Sequence, residues 1–206
     1  MPRRRITIML ASAALALGVS ACGQEPVAEI EEIPVGTTYV TLDRGFVDAL
    51  NNLGLTPGPV GSAAIKNGSA RFPMTGGNVT IYKPGTEDPY VQGEIRHGGS
   101  GLGLERGQTR VALTDFVVDP GESVLTGNVW VDGDKAVEGE KLFLLDGRTL
   151  QPVRTIDSGA VLEGTTVRLT EEAASLLNDT FGTDALEQGL EIGVAKLVVR
   201  TQPLPD

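Results

Sequence analysis

His97 is the chain's single imidazole, set in the run Glu94-Ile95-Arg96-His97-Gly98-Gly99-Ser100-Gly101. A histidine at a strand end beside a glycine-rich turn can touch a metal or a haem iron, and it can equally be a solvated turn residue. Cys22 is the single thiol, so no internal disulfide forms and Cys-rich zinc sites are excluded. One histidine likewise excludes any site that needs two imidazoles. The 27 acidic residues leave carboxylate chemistry open. Asp132-Gly133-Asp134, with Asp115, Asp119 and Glu122 nearby, lacks the D-x-D-x-D-G frame of a calcium loop. Hard cations need roughly six oxygens in one shaped loop, so these acids read as a solvated face and no metal site is expected. The glycines from Gly98 to Gly103 form no dinucleotide fingerprint, because Leu104 stands where its last glycine belongs, and no phosphate loop occurs. They read as a flexible hairpin connection. No G-x-S-x-G elbow is present, and one histidine would have to fill every base role. No catalytic residue is assigned. A non-enzymatic protein is the preferred reading, with a hydrolase built on a carboxylate pair as an alternative.

The position of Cys22 gives it a different chemistry. Arg3, Arg4 and Arg5 form a positive start, an apolar run extends from Ile6 to Val19, and the small residues Ser20 and Ala21 come directly before the cysteine. This is the layout of a secretory signal over residues 1–21, and the run is too short and Ala-rich for a membrane span. Val19-Ser20-Ala21-Cys22 resembles the bacterial lipobox. That resemblance implies a cut before Cys22 and a thioether-linked diacylglycerol on its sulfur, placing the protein in the cell envelope, a lipoprotein held to the membrane by acyl chains such as palmitate. Gly23 in place of Asp resembles outer-membrane sorting, should the source be Gram-negative. Removing three arginines leaves the remainder more acidic than the full chain's −10. Such a protein does not dock on anionic lipid by its own charge, so the acyl chains, at ~0.8 kcal/mol per buried CH₂, supply the anchoring. An acidic chain does not coat nucleic acid either. Membrane contact through the lipid, and a small ligand or protein of unstated identity, are the partners expected.

The elements that must position His97 are β-strands. Gly accounts for 27 residues and aromatics for only 4%, which suits a turn-rich β protein. Residues 22–36 read as an acidic tether and residues 37–202 as one β-rich domain, an antiparallel sandwich or curled sheet with two short α-helices. Asn67-Gly68, Gly76-Gly77, Asp132-Gly133 and Asp146-Gly147 each adjoin β-type runs and predict hairpin turns that need positive φ. In the run 124–131, Trp130 falls on the more polar face. Asp43 caps a predicted helix over 44–53, and Thr170 caps another over 171–181 ended by Gly182. The two segments match at an offset of 127, with Val40/Val167 and Leu42/Leu169 in the preceding strands. Convergent helix-start chemistry and a pseudo-symmetric fold both explain this.

The stretch from Val91-Gln92-Gly93-Glu94-Ile95-Arg96-His97-Gly98-Gly99 through Leu102-Gly103-Leu104 to Thr114-Asp115-Phe116 resembles the middle of the Htaa domain, a secreted β-rich module of bacterial haem uptake. Leu169-Thr170-Glu171-Glu172-Ala173 is similar to its late helix start. The likeness spans about residues 37–185. It implies a pocket in which a Tyr ligates haem iron with a His assisting. His97 matches the family's His position. Phe46 stands where the Tyr ligand is expected, and Tyr39 lies earlier, on the strand. Haem is thus the alternative to a protein without a cofactor, with His97 and Tyr39 as its candidate ligand-binding residues.

Overall fold

A computed structural model describes residues 25–156 and 159–200. The signal segment and Cys22 lie outside the described residues. Thirteen strands are found among those described: β1 (Ala28–Ile30), β2 (Val35–Leu42), β3 (Thr56–Gly61), β4 (Ala64–Lys66), β5 (Ser69–Pro73), β6 (Gly76–Ile81), β7 (Val91–Arg106), β8 (Thr109–Asp119), β9 (Val124–Val131), β10 (Asp134–Asp146), β11 (Arg154–Ile156), β12 (Gly159–Leu169) and β13 (Glu191–Arg200), with helices α1 (Arg44–Asn52) and α2 (Glu171–Phe181). They form one antiparallel sheet in the order β1-β6-β7-β8-β9-β10-β12-β13-β2-β5-β4, with β3 on the second half of β7 and β11 on β12. The sheet curls into a half-barrel. A single curled sheet is therefore the outcome, and not two packed sheets.

Both helices form where their caps specify. The Asp43 side chain accepts the Phe46 N–H at 3.1 Å, and Thr170 Oγ1 accepts the Ala173 N–H at 3.1 Å. Gly182 closes α2 in the left-handed region at φ 59. Phe46 and Leu50 of α1 and Ala173, Ala174, Leu177 and Phe181 of α2 are buried in one core inside the curl. Strands β2 and β12 both pair antiparallel to β13, with Val194 opposite Thr41 on one side and Thr166 on the other. The two strand–helix units thus flank one central strand and send their helices into the same core.

Three expectations are corrected. Asn67-Gly68 and Asp132-Gly133 are hairpin turns, but Gly76-Gly77 opens β6, and Asp146-Gly147 leads into a short 3₁₀ turn because β10 pairs with β12. The glycines 98–103 are no hairpin connection. They belong to β7, whose 16 residues run through them, and the true β7–β8 turn is Gly107-Gln108. The segment expected as a tether over 22–36 joins the sheet from Ala28: β1 pairs with β6, and Ile33 is buried in a second core with Val79, Ile81 and Ile95. Its apolar residues Ile30 and Ile33, spaced between the acids, supply the burial that a free spacer would lack.

Candidate functional site

Between the two cores the curled sheet encloses a cavity of about 690 Å³, within the ~300–1,000 Å³ usual for small-molecule sites. Its walls are apolar, including Val40, Ile95, Leu102, Val118 and Ala195. Phe116 meets Phe72 edge-on at 5.4 Å between ring centroids and Phe143 at 6.3 Å, so the three rings form one continuous patch of the lining. Tyr90 joins them. Four of nine aromatic residues thus converge on this space, although they are scattered along the chain.

His97 lies in this wall. It is 2% exposed, inside β7 rather than at a strand end, so the solvated-turn alternative does not hold. Its Nε2 is 2.8 Å from Thr38 Oγ1 of β2, and Thr38 is buried too. Nδ1 is buried with no hydrogen-bond partner. Burial pushes the imidazole pKa down to about 4, so the ring is neutral at physiological pH and keeps a lone pair on one nitrogen. An unpartnered polar atom in an apolar interior costs about 1–3 kcal/mol, and such an atom points to a role in function.

Tyr39 does not share this site. Its neighbours Thr38 and Val40 line the cavity, while Tyr39 is 37% exposed on the opposite face of β2, as strand alternation requires. Phe46 is not part of the cavity lining and belongs with Leu50, Leu113 and Leu177 to the helix-side core. Tyr90 is the tyrosine that lines the cavity, and burial raises its pKa. It follows a Pro- and Gly-bearing loop, and nothing local in the sequence marks it as inward-facing. The rim is built by Pro84, Asp88 and Pro89, by Pro120 and Ser123, and by Asp146 to Arg148. Arg148 donates to Asp146 through Nε at 2.8 Å and Nη2 at 2.6 Å. That pair holds the Asp146 carboxyl well below the usual carboxylate range and raises the Arg148 guanidinium. No group of three or more His, Cys, Asp or Glu side chains placed to hold a metal ion occurs among the described residues.

No family model and no curated protein matches the chain. Among solved structures, the C-terminal domain of HtaA from Corynebacterium glutamicum superimposes with a TM-score of 0.56 at 11% identity, over 82% of this chain and 98% of that one. A domain-swapped dimer of a variant of the same domain gives 0.46 at 12% identity, over 95% and 99%. At such identity the likeness is one of fold. The curled sheet with two helices built here has the fold of the HtaA C-terminal domain.

Proposed function

We propose that the protein is a non-enzymatic binding module, held in the bacterial cell envelope by lipid on Cys22, whose cavity takes a haem-type metalloporphyrin. One observation carries this reading: a neutral, buried imidazole, held through Nε2 to Thr38, stands in the wall of a largely apolar chamber of about 690 Å³. The residues fit the group in part. His97 would hold the iron, and Phe72, Phe116 and Phe143 offer apolar contact surface to a flat ring. The tyrosine ligand implied by the Htaa resemblance has no counterpart at Tyr39 or Phe46. When bound, haem supplies a Lewis-acidic iron. What this chain would supply is a largely apolar cavity and a neutral imidazole in its wall. The carboxylates in the lining are Asp88 and Asp146, both at the rim, and Asp146 is already committed to Arg148. That arrangement gives two-carboxylate hydrolysis no free pair.

Titration with hemin tests the proposal. A Soret shift that saturates at micromolar hemin in the wild type and is lost or weakened at least ~10-fold in His97→Ala supports it. The absence of any shift at that concentration removes haem. Displacement of a fluorescent fatty acid without a Soret response would instead make the chamber an acyl-chain site.

A further inference from the structure

The cavity wall changes its inward parity twice beside His97, and both changes meet at Asp115. Along β7 the buried side chains are Ile95 and His97, then Leu102 and Leu104; along β8 they are Val111 and Leu113, then Phe116 and Val118. Strand side chains alternate with period two, so each switch from odd to even positions needs an irregularity. In β7, residues 98–100 are looped out between the pairs His97–Phe116 and Gly101–Thr114, opposite Asp115 alone. In β8 the register against β9 slips between Thr114–Asn128 and Val117–Thr126. Such bulges re-aim side chains and gather at functional sites. Asp115 itself has φ 54, a left-handed conformation uncommon outside glycine that the surroundings must hold.

The Asp115 carboxylate ties the two bulges together. Its Oδ1 accepts the Gly99 N–H at 2.9 Å. Its Oδ2 accepts the Thr114 hydroxyl at 2.9 Å and Asn128 Nδ2 at 3.2 Å. Thr114 Oγ1 in turn accepts Trp130 Nε1 at 3.0 Å, so the polar face of β9 serves as the frame for this carboxylate. Around the looped residues, the Gly98 N–H donates to Thr75 Oγ1 at 2.9 Å and Ser100 Oγ donates to the His97 carbonyl at 3.0 Å. Accepting the Gly99 amide, with help from Thr114 and Asn128, lowers the Asp115 pKa, so the carboxylate is charged at physiological pH and these bonds are strong. Nothing else on β8 reaches the β7 bulge through a side-chain hydrogen bond among the described residues.

We propose that Asp115 is the positioning residue of this site: by clamping Gly99 it fixes the double bulge that begins directly after His97, and so holds the ring in place in the cavity wall, without touching the ligand. The inference rests on the cavity being the binding site, and the test separates the two claims. His97 is the only histidine, so carbethoxylation followed at 240 nm, together with the imidazole ¹H–¹⁵N signals, reports on this ring alone. Asp115→Gly keeps the left-handed backbone free of strain while removing the carboxylate. With unchanged circular dichroism, its His97 is expected to react ~10-fold faster than in the wild type, the factor that one hydrogen bond to a charged group is worth, and to give shifted ring signals. Asp115→Asn retains an acceptor for Gly99 but loses the charge and turns an NH2 toward Asn128 Nδ2, and is expected to fall between wild type and Asp115→Gly. Asn128→Ala leaves the carboxylate but removes one group that aims it, and is expected to fall between the two; it also serves if Asp115→Gly fails to fold. Wild-type rates and ring signals in both Asp115→Gly and Asn128→Ala overturn the positioning role. Hemin titration of the same proteins reads the other claim. If no protein in the set gives a Soret shift, the haem reading fails while the altered His97 reactivity still stands for Asp115.

Discussion

His97 governs how the molecule's stability changes between pH 6.5 and pH 4. Its folded pKa of about 4 lies below the ordinary 6.5, so the unfolded chain binds this proton more readily than the folded one. Between pH 6.5 and 4 stability therefore falls with decreasing pH, and the stability lost below pH 4 from this group approaches roughly 3 kcal/mol. Asp115 and Asp146, whose pKa values are lowered, have the same sense but act only below the ordinary carboxylate range near pH 4. The upper window thus isolates the imidazole. Urea unfolding at pH 7.0, 6.0, 5.0 and 4.5 should show the wild type losing stability across the series and His97→Asn losing markedly less. Parallel losses in the two proteins would mean that His97 is not buried as described. At this scale the sequence was partly legible. It singled out His97 because the residue is unique and flanked by glycine. It left a solvated turn open as one alternative because Gly98-Gly99-Ser100 has the composition of a loop, and only the partner strand shows that these residues are a bulge. Tyr39 lies outside the cavity for the opposite reason, since its strand alternates regularly and carries it outward.

At the level of elements, what could be read were the features set by local chemistry. Helices α1 and α2 begin at Asp43 and Thr170, where a side-chain oxygen takes up an orphan N–H, and that preference is visible in a short window. Turns at Asn67-Gly68 and Asp132-Gly133 were equally visible, with Asn67 at φ 52 and Asp132 at φ 53. Gly76-Gly77 has the same local signature but opens a strand instead, because Gly77 passes against the Glu94 carbonyl and leaves no room for a Cβ. That demand is made by a distant residue, so no local pattern shows it. Gly127 is similar: a Cβ there would lie 2.8 Å from the Thr114 carbonyl and 2.9 Å from Phe116. The α2 cap also carries a tertiary role, because Thr170 Oγ1 is 2.7 Å from the Lys141 carbonyl and Thr170 is 2% exposed. Thr170→Ala loses a cap and a strand-to-helix tie together, and is expected to cost about 2 kcal/mol. Urea unfolding reads this as a lower midpoint with an unchanged slope. A loss under about 0.5 kcal/mol would mean that the helix is held by its apolar face alone.

For the molecule as a whole, the position of β1 decides how a lipid on Cys22 would orient the cavity. The Val27 N–H donates to the Ile81 carbonyl at 2.7 Å, and the Tyr82 N–H donates to the Tyr90 carbonyl at 2.7 Å. The start of β1 therefore lies beside the loop 82–90, which supplies Pro84, Asp88, Pro89 and Tyr90 to the cavity rim. Val27, 63% exposed, adds apolar surface at the same end. Ala28 follows Cys22 by six residues, a reach of at most about 20 Å. A chain acylated at Cys22 would hold the rim within that distance of the bilayer, far closer than a free spacer extending to residue 36 allows. An apolar ligand dissolved in the membrane would then have a short path into the chamber, with little transit through water. The first requirement is the anchor: labelled palmitate should enter the wild type and not Cys22→Ser, which should leave the membrane fraction. Given the anchor, hemin loaded into vesicles should pass to the lipidated protein faster than to Cys22→Ser added at equal concentration. Inserting about 30 Gly/Ser residues between Gln24 and Glu25 relaxes the distance constraint and should bring the rate down toward that of Cys22→Ser without changing hemin affinity in solution. A transfer rate indifferent to both changes would show that the ligand arrives through water and that the rim's nearness to β1 has no part in its capture.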